Sequence, residues 1–369
     1  MSTTLRVFLS CLPRMEVLLQ QEVERVLSRR RWDRKHGGME GRVTIPELWT
    51  LAHDLRIAES IRVRIGSFPA SNFEELLAGF QRLPWAVYYA REALPPVEVQ
   101  SSASALYHDD AVAQRLEAFF LERSGRRDGE AQAVPAVQVR IVNDMVVVSV
   151  DASGAPLHRR GLREAVLRAP LRETYAAACL RVSGLDASMS LADPFCGSGV
   201  FLSERAGMDG GFALPRRFAF EDWAHHDASL YAQWLSARSP LRYPEGLRLF
   251  GGDQASAAIE ASRLNLAVWD AGASLALRKQ DAGDFLRGLS PDTDVICNPP
   301  WGLRMRGAGA VGALMGDWLR DRDKNAKGDV VTLVAGYDFL RASGVRWREL
   351  LSFRDGGTTV RLMRYEARG

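Results

Sequence analysis

The stretch Asp294-Val295-Ile296-Cys297-Asn298-Pro299-Pro300-Trp301 joins a short apolar run to an amide, two consecutive prolines and an indole. Proline fixes φ and removes a backbone donor, and it restricts the residue before it as well. The Asn298 amide and the Pro299 carbonyl are therefore held stiffly at the end of the run, as two hydrogen-bond acceptors aimed at one point. An exocyclic amine of a nucleobase donates two hydrogens, and accepting both turns its nitrogen lone pair toward an electrophile. Trp301 offers a ring on which an extruded base can stack, worth roughly 1–3 kcal/mol per base, against the cost of unstacking it. Asn298 is neutral and cannot act as a strong base. The chemistry such a site could do is in-line methyl transfer governed by positioning, with the proton lost afterwards.

A second constellation lies upstream, in Asp193-Pro194-Phe195-Cys196-Gly197-Ser198-Gly199. The glycines permit close backbone approach, and the N-terminus of a following helix favours an anionic group. A dinucleotide fingerprint, GxGxxG, fails at Leu202, and no GxxxxGK[ST] string occurs. What remains is a carboxylate plus GxG, which suits a zwitterionic ligand tail: carboxylate at the helix, ammonium on Asp193. Asp253 follows Gly251-Gly252, where a carboxylate can bind vicinal ribose hydroxyls. Asp281 could accept from an adenine amino group. Either aspartate taken singly reads as a helix cap or a surface residue; three carboxylates at three successive strand ends read as a site.

These residues need a sheet to bring them together. From about residue 171 the chain alternates strand-like and helix-like segments: "LRETYAAACLRVSG", "MSLADPF", "VFLSERAG", "LRLFGGDQ", "ASAAIEASRLNLAVWDAG", "SLALRKQDAGDF", "DVICNPPW" and "DVVTLVAG". That alternation predicts a mainly parallel, doubly wound sheet with the unusual residues at the carboxyl ends of its strands. Residues 1–155 read differently, as α+β with short strands. They run from "LRVFLSC" and the helical "PRMEVLLQQEVERVLS" through the strand "GRVTI", a helix from Pro46, "SIRVRIGSFP", "NFEELLAGFQRL", "VEVQSSAS" and a helix around 108–123. A hairpin closing on Asn143-Asp144 ends the region. Nothing in this part resembles a catalytic cluster.

The chain of 369 residues is long enough for two or three cores. Its net charge is only +3, yet the basic residues are almost all arginine and cluster at "SRRRWDRKH", "ERSGRR" and "HRRGLREAVLR". Together they favour a polyanionic partner. Cys11, Cys179, Cys196 and Cys297 lie far apart with no CxxC, which suggests neither a disulfide framework nor a zinc site. The histidine pair His225-His226 has no partner cluster and is expected in a polar helix. No metal is expected. No run is long enough to span a bilayer, and the N-terminus reads as strand then helix, so a cytoplasmic setting is expected.

The chain resembles the THUMP-domain RNA methyltransferases, and most closely the guanine-N2 half of the bifunctional ribosomal large-subunit methyltransferase L/K. The strings that carry this are "VSVDASGAPLHRRGLR" with "APLRETYAAACL", "DPFCGSGVFLSERA", "FAFEDWAHHDASLYAQW", "GGDQASAAIEASRLN" and "CNPPWG". The resemblance implies a ferredoxin-like lead-in plus THUMP RNA-binding domain over residues 1–155. For residues 156–369 it implies a Rossmann-like class I methyltransferase domain dependent on S-adenosyl-L-methionine. By matching position, Asp193, Pro194, Cys196, Gly197 and Gly199 would hold the methionine part of the cofactor, with Pro170 and Thr174 lining its carboxylate. Asp253 would bind the ribose and Asp281 the adenine; Asn298, Pro299, Pro300 and Trp301 would form the target-base site. Trp301 stands where the family has tyrosine, and Gly302-Leu303-Arg304 where it commonly has Gly-Glu-Arg. The implied partner is RNA: large-subunit rRNA or its assembly intermediate, alternatively tRNA. A DNA adenine-N6 methylase shares the Asn-Pro-Pro-aromatic end, and an RNA-binding protein with an inactive methylase fold is the non-enzymatic alternative. The sequence carries no sign of the oligomeric state.

Overall fold

The structure is a computed structural model. It describes residues 4–28, 31–128, 134–165, 171–269, 274–300, 308–322, 326–355 and 357–367. The chain divides into two compact units, Met1–Leu157 with Arg216–Arg238, and His158–Pro215 with Ser239–Gly369.

The first unit is built on a seven-stranded sheet in the order β2-β3-β1-β4-β7-β6-β5. Its strands are β1 (Leu5–Cys11), β2 (Asp33–Lys35), β3 (Gly38–Val43), β4 (Ala58–Pro69), β5 (Val97–Ser102), β6 (Val137–Val142) and β7 (Met145–Asp151). All pairings are antiparallel except β5 with β6. The β6–β7 hairpin turns on Asn143 and Asp144 at φ 51° and 58°, the doubly left-handed turn whose twist matches paired strands. The helix Ile45–Asp54 starts at a capping box, in which Thr44 Oγ1 accepts the Glu47 N–H and Glu47 Oε2 accepts the Thr44 N–H at 2.7 Å. β2 lies inside the arginine-rich run "SRRRWDRKH".

Residues 216–238, which fall inside the 156–369 domain expected from the sequence, pack with the first unit. The cause is aromatic. Trp49 is 1% exposed and packs against Tyr231 at 5.0 Å, Trp234 at 5.7 Å, His226 at 6.4 Å and Phe220 at 6.5 Å between ring centroids. His53 Nε2 lies 2.9 Å from the Tyr231 hydroxyl. At the start of the segment, the Arg216 guanidinium donates to the carbonyls of Ser153, Ala155 and Pro156 and stacks over Phe218. His225 and His226 are not in a helix; they precede Ala228–Ser236, whose N-cap is Asp227.

The second unit holds β8 (Ser190–Asp193), β9 (Arg248–Asp253), β10 (Leu275–Lys279), β11 (Asp294–Cys297), β12 (Val330–Ala335), β13 (Arg346–Asp355) and β14 (Thr358–Glu366). They form one sheet in the order β10-β9-β8-β11-β12-β14-β13. The first five are mutually parallel, and β14 runs antiparallel between β12 and β13. Val330, Val331, Thr332, Leu333 and Val334 are all buried, as expected of a parallel strand covered on both faces. The β13–β14 hairpin was not anticipated from sequence.

Candidate active site

Four of the parallel strands deliver the predicted carboxylates and amide to one edge of this sheet. β8 ends at Asp193, β9 at Asp253 and β10 just before Asp281, while β11 runs directly into Asn298. The chain winds from β8 to β9 on one side and places β11 on the other, so the order reverses between β8 and β11. In open α/β sheets ligands bind outside the carboxyl ends of the strands at such a reversal.

Asp193 is 1% exposed, and its carboxyl is pushed up to about 8. Burial is the main cause; the N–H donated by Phe195 at 3.0 Å pulls the other way and the nearby Asp253 adds to the rise. No cation pairs with Asp193 among the described residues. From it the chain turns through Pro194 and Phe195, and the Cys196 N–H donates to the Gly252 carbonyl of β9 at 2.9 Å. Gly197 and Gly199 have φ of 54° and 79°, the left-handed region that glycine enters without a Cβ clash. A Cβ on Gly199 would meet Leu266 and Ser262 at 3.1 Å, whereas one on Gly197 would meet nothing within 4 Å. The loop is thus packed beneath and open above. The Val200–Ala206 helix begins at Gly199.

Asp253 caps its own turn through Oδ1 and Ala255 N–H at 2.9 Å, and its Oδ2 accepts the Gly197 N–H. Asp281 is exposed and is the N-cap of the helix Ala282–Arg287, with Oδ1 accepting from Gly283 at 2.8 Å. The capping role weighed for it from sequence is therefore present. Thr174 is fully buried in the first turn of the helix Glu173–Ser183. Asn298 and Pro300 are half-buried and Pro299 is buried. Cys297 is buried beside β12, its Sγ 3.3 Å from Thr332 Oγ1. Burial raises both the Cys196 and Cys297 thiols far above the usual range, which suits fillers rather than nucleophiles. Pro170 and Trp301 lie outside the described residues. No group of metal-ligating side chains occurs among the described residues.

A model of the RMKL-like methyltransferase domain matches residues 160–345, just over half of the chain. The chain belongs to this family. As an RMKL-like protein it is a methyltransferase, and the match spans the glycine loop, Asp253, Asp281 and Asn298 alike. Among curated relatives it is 27% identical over 326 residues to slr0064 of Synechocystis sp. (strain ATCC 27184 / PCC 6803 / Kazusa), provisionally named an RNA methyltransferase, covering 84% of each chain. It is 28% identical over 309 residues to the ribosomal RNA large subunit methyltransferase K/L of Marinomonas sp. (strain MWYL1). That alignment covers 77% of this chain and 41% of the relative, so the chain spans less than half of that protein's length. Among solved structures, SMU.472 in complex with SAH matches over the full length of both chains at 23% identity and a TM-score of 0.78. The likeness shows a shared fold, and the mainly parallel, doubly wound order of the second sheet is Rossmann-like.

Two residues of this edge were missed by sequence reading as site residues. Ser262 and Asn265, one turn apart on the helix Ser256–Ala267, bond the carbonyls of Gly197 and Ser198 at 2.8 and 3.0 Å. Their string "ASRLN" has the look of an ordinary amphipathic helix, and only the i, i+3 spacing of two small polar residues on its buried side signals them.

Proposed function

We propose that this chain is an S-adenosylmethionine-dependent RNA methyltransferase acting on the exocyclic N2 of a guanine in large-subunit ribosomal RNA. The observation that carries the reading is the meeting of Asp193, the glycine loop and Asn298-Pro299 on either side of the strand-order reversal. The residues fit the donor. Asp193 is a buried carboxyl with no cationic partner among the described residues, and the loop after it is open above Gly197. Bound there, S-adenosylmethionine supplies a methyl group made electrophilic by its sulfonium.

Asp193 takes the donor's ammonium, the backbone of the glycine loop faces its carboxylate, Asp253 accepts from the ribose hydroxyls and Asp281 accepts from the adenine amine. On the other side of the reversal, Asn298 and the Pro299 carbonyl accept both hydrogens of the guanine amine and direct its lone pair toward the methyl. Trp301 stacks the base. With no strong base at Asn298, the chain works by alignment, and the proton leaves the methylated amine for solvent. In the first unit, the arginine-rich, α+β region is a THUMP-type RNA holder that follows backbone shape and phosphate position. The K/L name of the Marinomonas relative supports the ribosomal substrate.

The test is methyl transfer from labelled S-adenosylmethionine to large-subunit rRNA, tRNA and duplex DNA, with nucleoside analysis and an Asn298→Ala control. The expected product is N2-methylguanosine in rRNA, lost in the variant. The same nucleoside found only in tRNA would move the substrate and keep the chemistry. N6-methyladenine in DNA would overturn the reading.

A further inference from the structure

Asn265 is 3% exposed and lies on the helix that follows β9, behind the glycine loop. Its Oδ1 accepts the backbone N–H groups of Glu164 and Ala165, both at 2.8 Å. Its Nδ2 donates to the carbonyls of Ala165 at 2.9 Å and Ser198 at 3.0 Å. An amide has two donors and an oxygen with two lone pairs, so every bonding position of this side chain is used, and all of them on backbone. One partner, Ser198, sits between the two left-handed glycines of the loop. The others, Glu164 and Ala165, lie upstream of that loop in the chain. One turn earlier, the Ser262 hydroxyl donates to the neighbouring loop carbonyl, Gly197 O, at 2.8 Å.

We infer that Asn265 is a positioning residue for the methyl donor: its amide ties the Ser198 carbonyl of the glycine loop to the Glu164–Ala165 backbone, so that the loop is held in one arrangement where it faces the donor. This rests on the donor reading given above. The physical case is the complete use of a buried amide. Buried polar groups that are fully satisfied rigidify and specify one arrangement, while a partly satisfied one is costly. An ordinary interior asparagine could bond its own helix or neighbouring side chains; this one bonds two backbone segments that are some 33 residues apart (165 and 198), and one of them is the loop between Gly197 and Gly199. Because preorganisation lowers the ordering cost of binding, the residue acts on donor affinity and not on the methyl-transfer step.

Asn265→Asp keeps shape and both acceptor contacts but sets a carboxylate against the Ser198 and Ala165 carbonyls. The experiment is calorimetric binding of S-adenosylhomocysteine, and steady-state kinetics on rRNA, for wild type, Asn265→Asp and Ser262→Ala. Asn265→Asp is expected to weaken binding at pH 8 by at least tenfold, with kcat at saturating donor within about threefold and KM for RNA unchanged. Thermal unfolding of each variant supplies the second readout: a purely structural role lowers Tm and leaves the Kd of the folded protein unchanged, whereas a positioning role raises Kd. Ser262→Ala, which deletes one hydroxyl, is expected to weaken binding two- to fivefold and carries the test should Asn265→Asp not fold. Unchanged donor affinity in the variants, or a fall in kcat with Kd held, would overturn the inference alone. Wild-type protein that binds no donor would overturn the donor reading and this inference with it.

Discussion

Gly197 donates its backbone N–H to Asp253 Oδ2 at 3.2 Å, so the carboxylate at the end of β9 holds the loop at the end of β8. One side chain therefore serves the loop's shape and, in the proposed function, the ribose. Replacing Asp253 by alanine removes a charged acceptor from both. Hydrogen bonds to charged groups contribute about 1.5–3 kcal/mol each, which places the expected loss of donor affinity at roughly ten- to a hundredfold. Calorimetry of Asp253→Ala and Asp253→Asn with S-adenosylhomocysteine checks this. Asparagine should recover part of the loss by keeping one acceptor, and equal affinity in all three proteins would exclude the assignment.

Asp193 makes the donor site pH-sensitive. Its carboxyl is raised by burial from 3.8 to about 8, so between these values the folded protein holds a proton that the unfolded chain has released. The stability this proton contributes is present in full below about pH 4 and is lost as pH rises toward 8. Chemical denaturation of the ligand-free protein should show that decline, and Asp193→Asn should flatten it. Donor binding has the opposite sign, because an ammonium beside Asp193 favours the ionised form. Affinity should strengthen from pH 6 to 8 with release of a proton. Calorimetry in buffers of differing ionisation enthalpy counts that proton, and proton uptake would contradict the pairing.

The strand-end constellation proposed as the site drew notice in the sequence because its residues are locally odd. Two prolines after an asparagine, and a GxG after an aspartate, constrain backbone in ways that read directly from the string. The parallel sheet was legible from period and order. The destination of residues 216–238 was not. Phe218, Phe220, Trp223, Tyr231 and Trp234 look alike whether they cover their own unit or reach back to Trp49, since a string carries no partner information over such a separation. The β13–β14 hairpin escaped for another reason: a register shift between Glu349 and Leu351 interrupts the alternation of β13, and in β14 two buried residues, Leu362 and Met363, are adjacent. Asn265 and Ser262 escaped because polar residues on a helix read as solvent-facing until the loop they bond is placed behind them.

Arg160 and Glu204 form a bidentate pair at 2.8 and 3.1 Å, each side chain only 2% exposed. It ties the "HRRG" segment to the helix that leaves the glycine loop. Breaking one half of a buried pair strands a charge and costs about 3–5 kcal/mol, whereas replacing both by apolar residues can be nearly neutral. Glu204→Leu should therefore lower unfolding free energy far more than the double change Arg160→Met with Glu204→Leu. Urea unfolding of the three proteins gives the comparison. A double variant as weak as the single would show that the pair's geometry, and not the stranded charge, sets the cost.

Trp49 decides which unit the 216–238 segment follows when the protein opens. Its ring packs on Phe220, Tyr231 and Trp234, and Trp223 Nε1 donates to the Asp151 carbonyl at 3.1 Å. These contacts lie in the first unit, while the chain on either side of the segment belongs to the second. Cooperative units open as packed groups and not as sequence neighbours. Trp49→Ala should cost about 3–5 kcal/mol, the range for deleting a large buried aromatic. In hydrogen exchange followed by mass spectrometry, peptides from 216–238 should lose protection together with β1, β4 and β7. Peptides from β8 and β9 should keep theirs. Loss of protection in β8 and β9 in step with the segment would mean that the insertion unfolds with the sheet that flanks it in sequence, and that its aromatic packing is secondary.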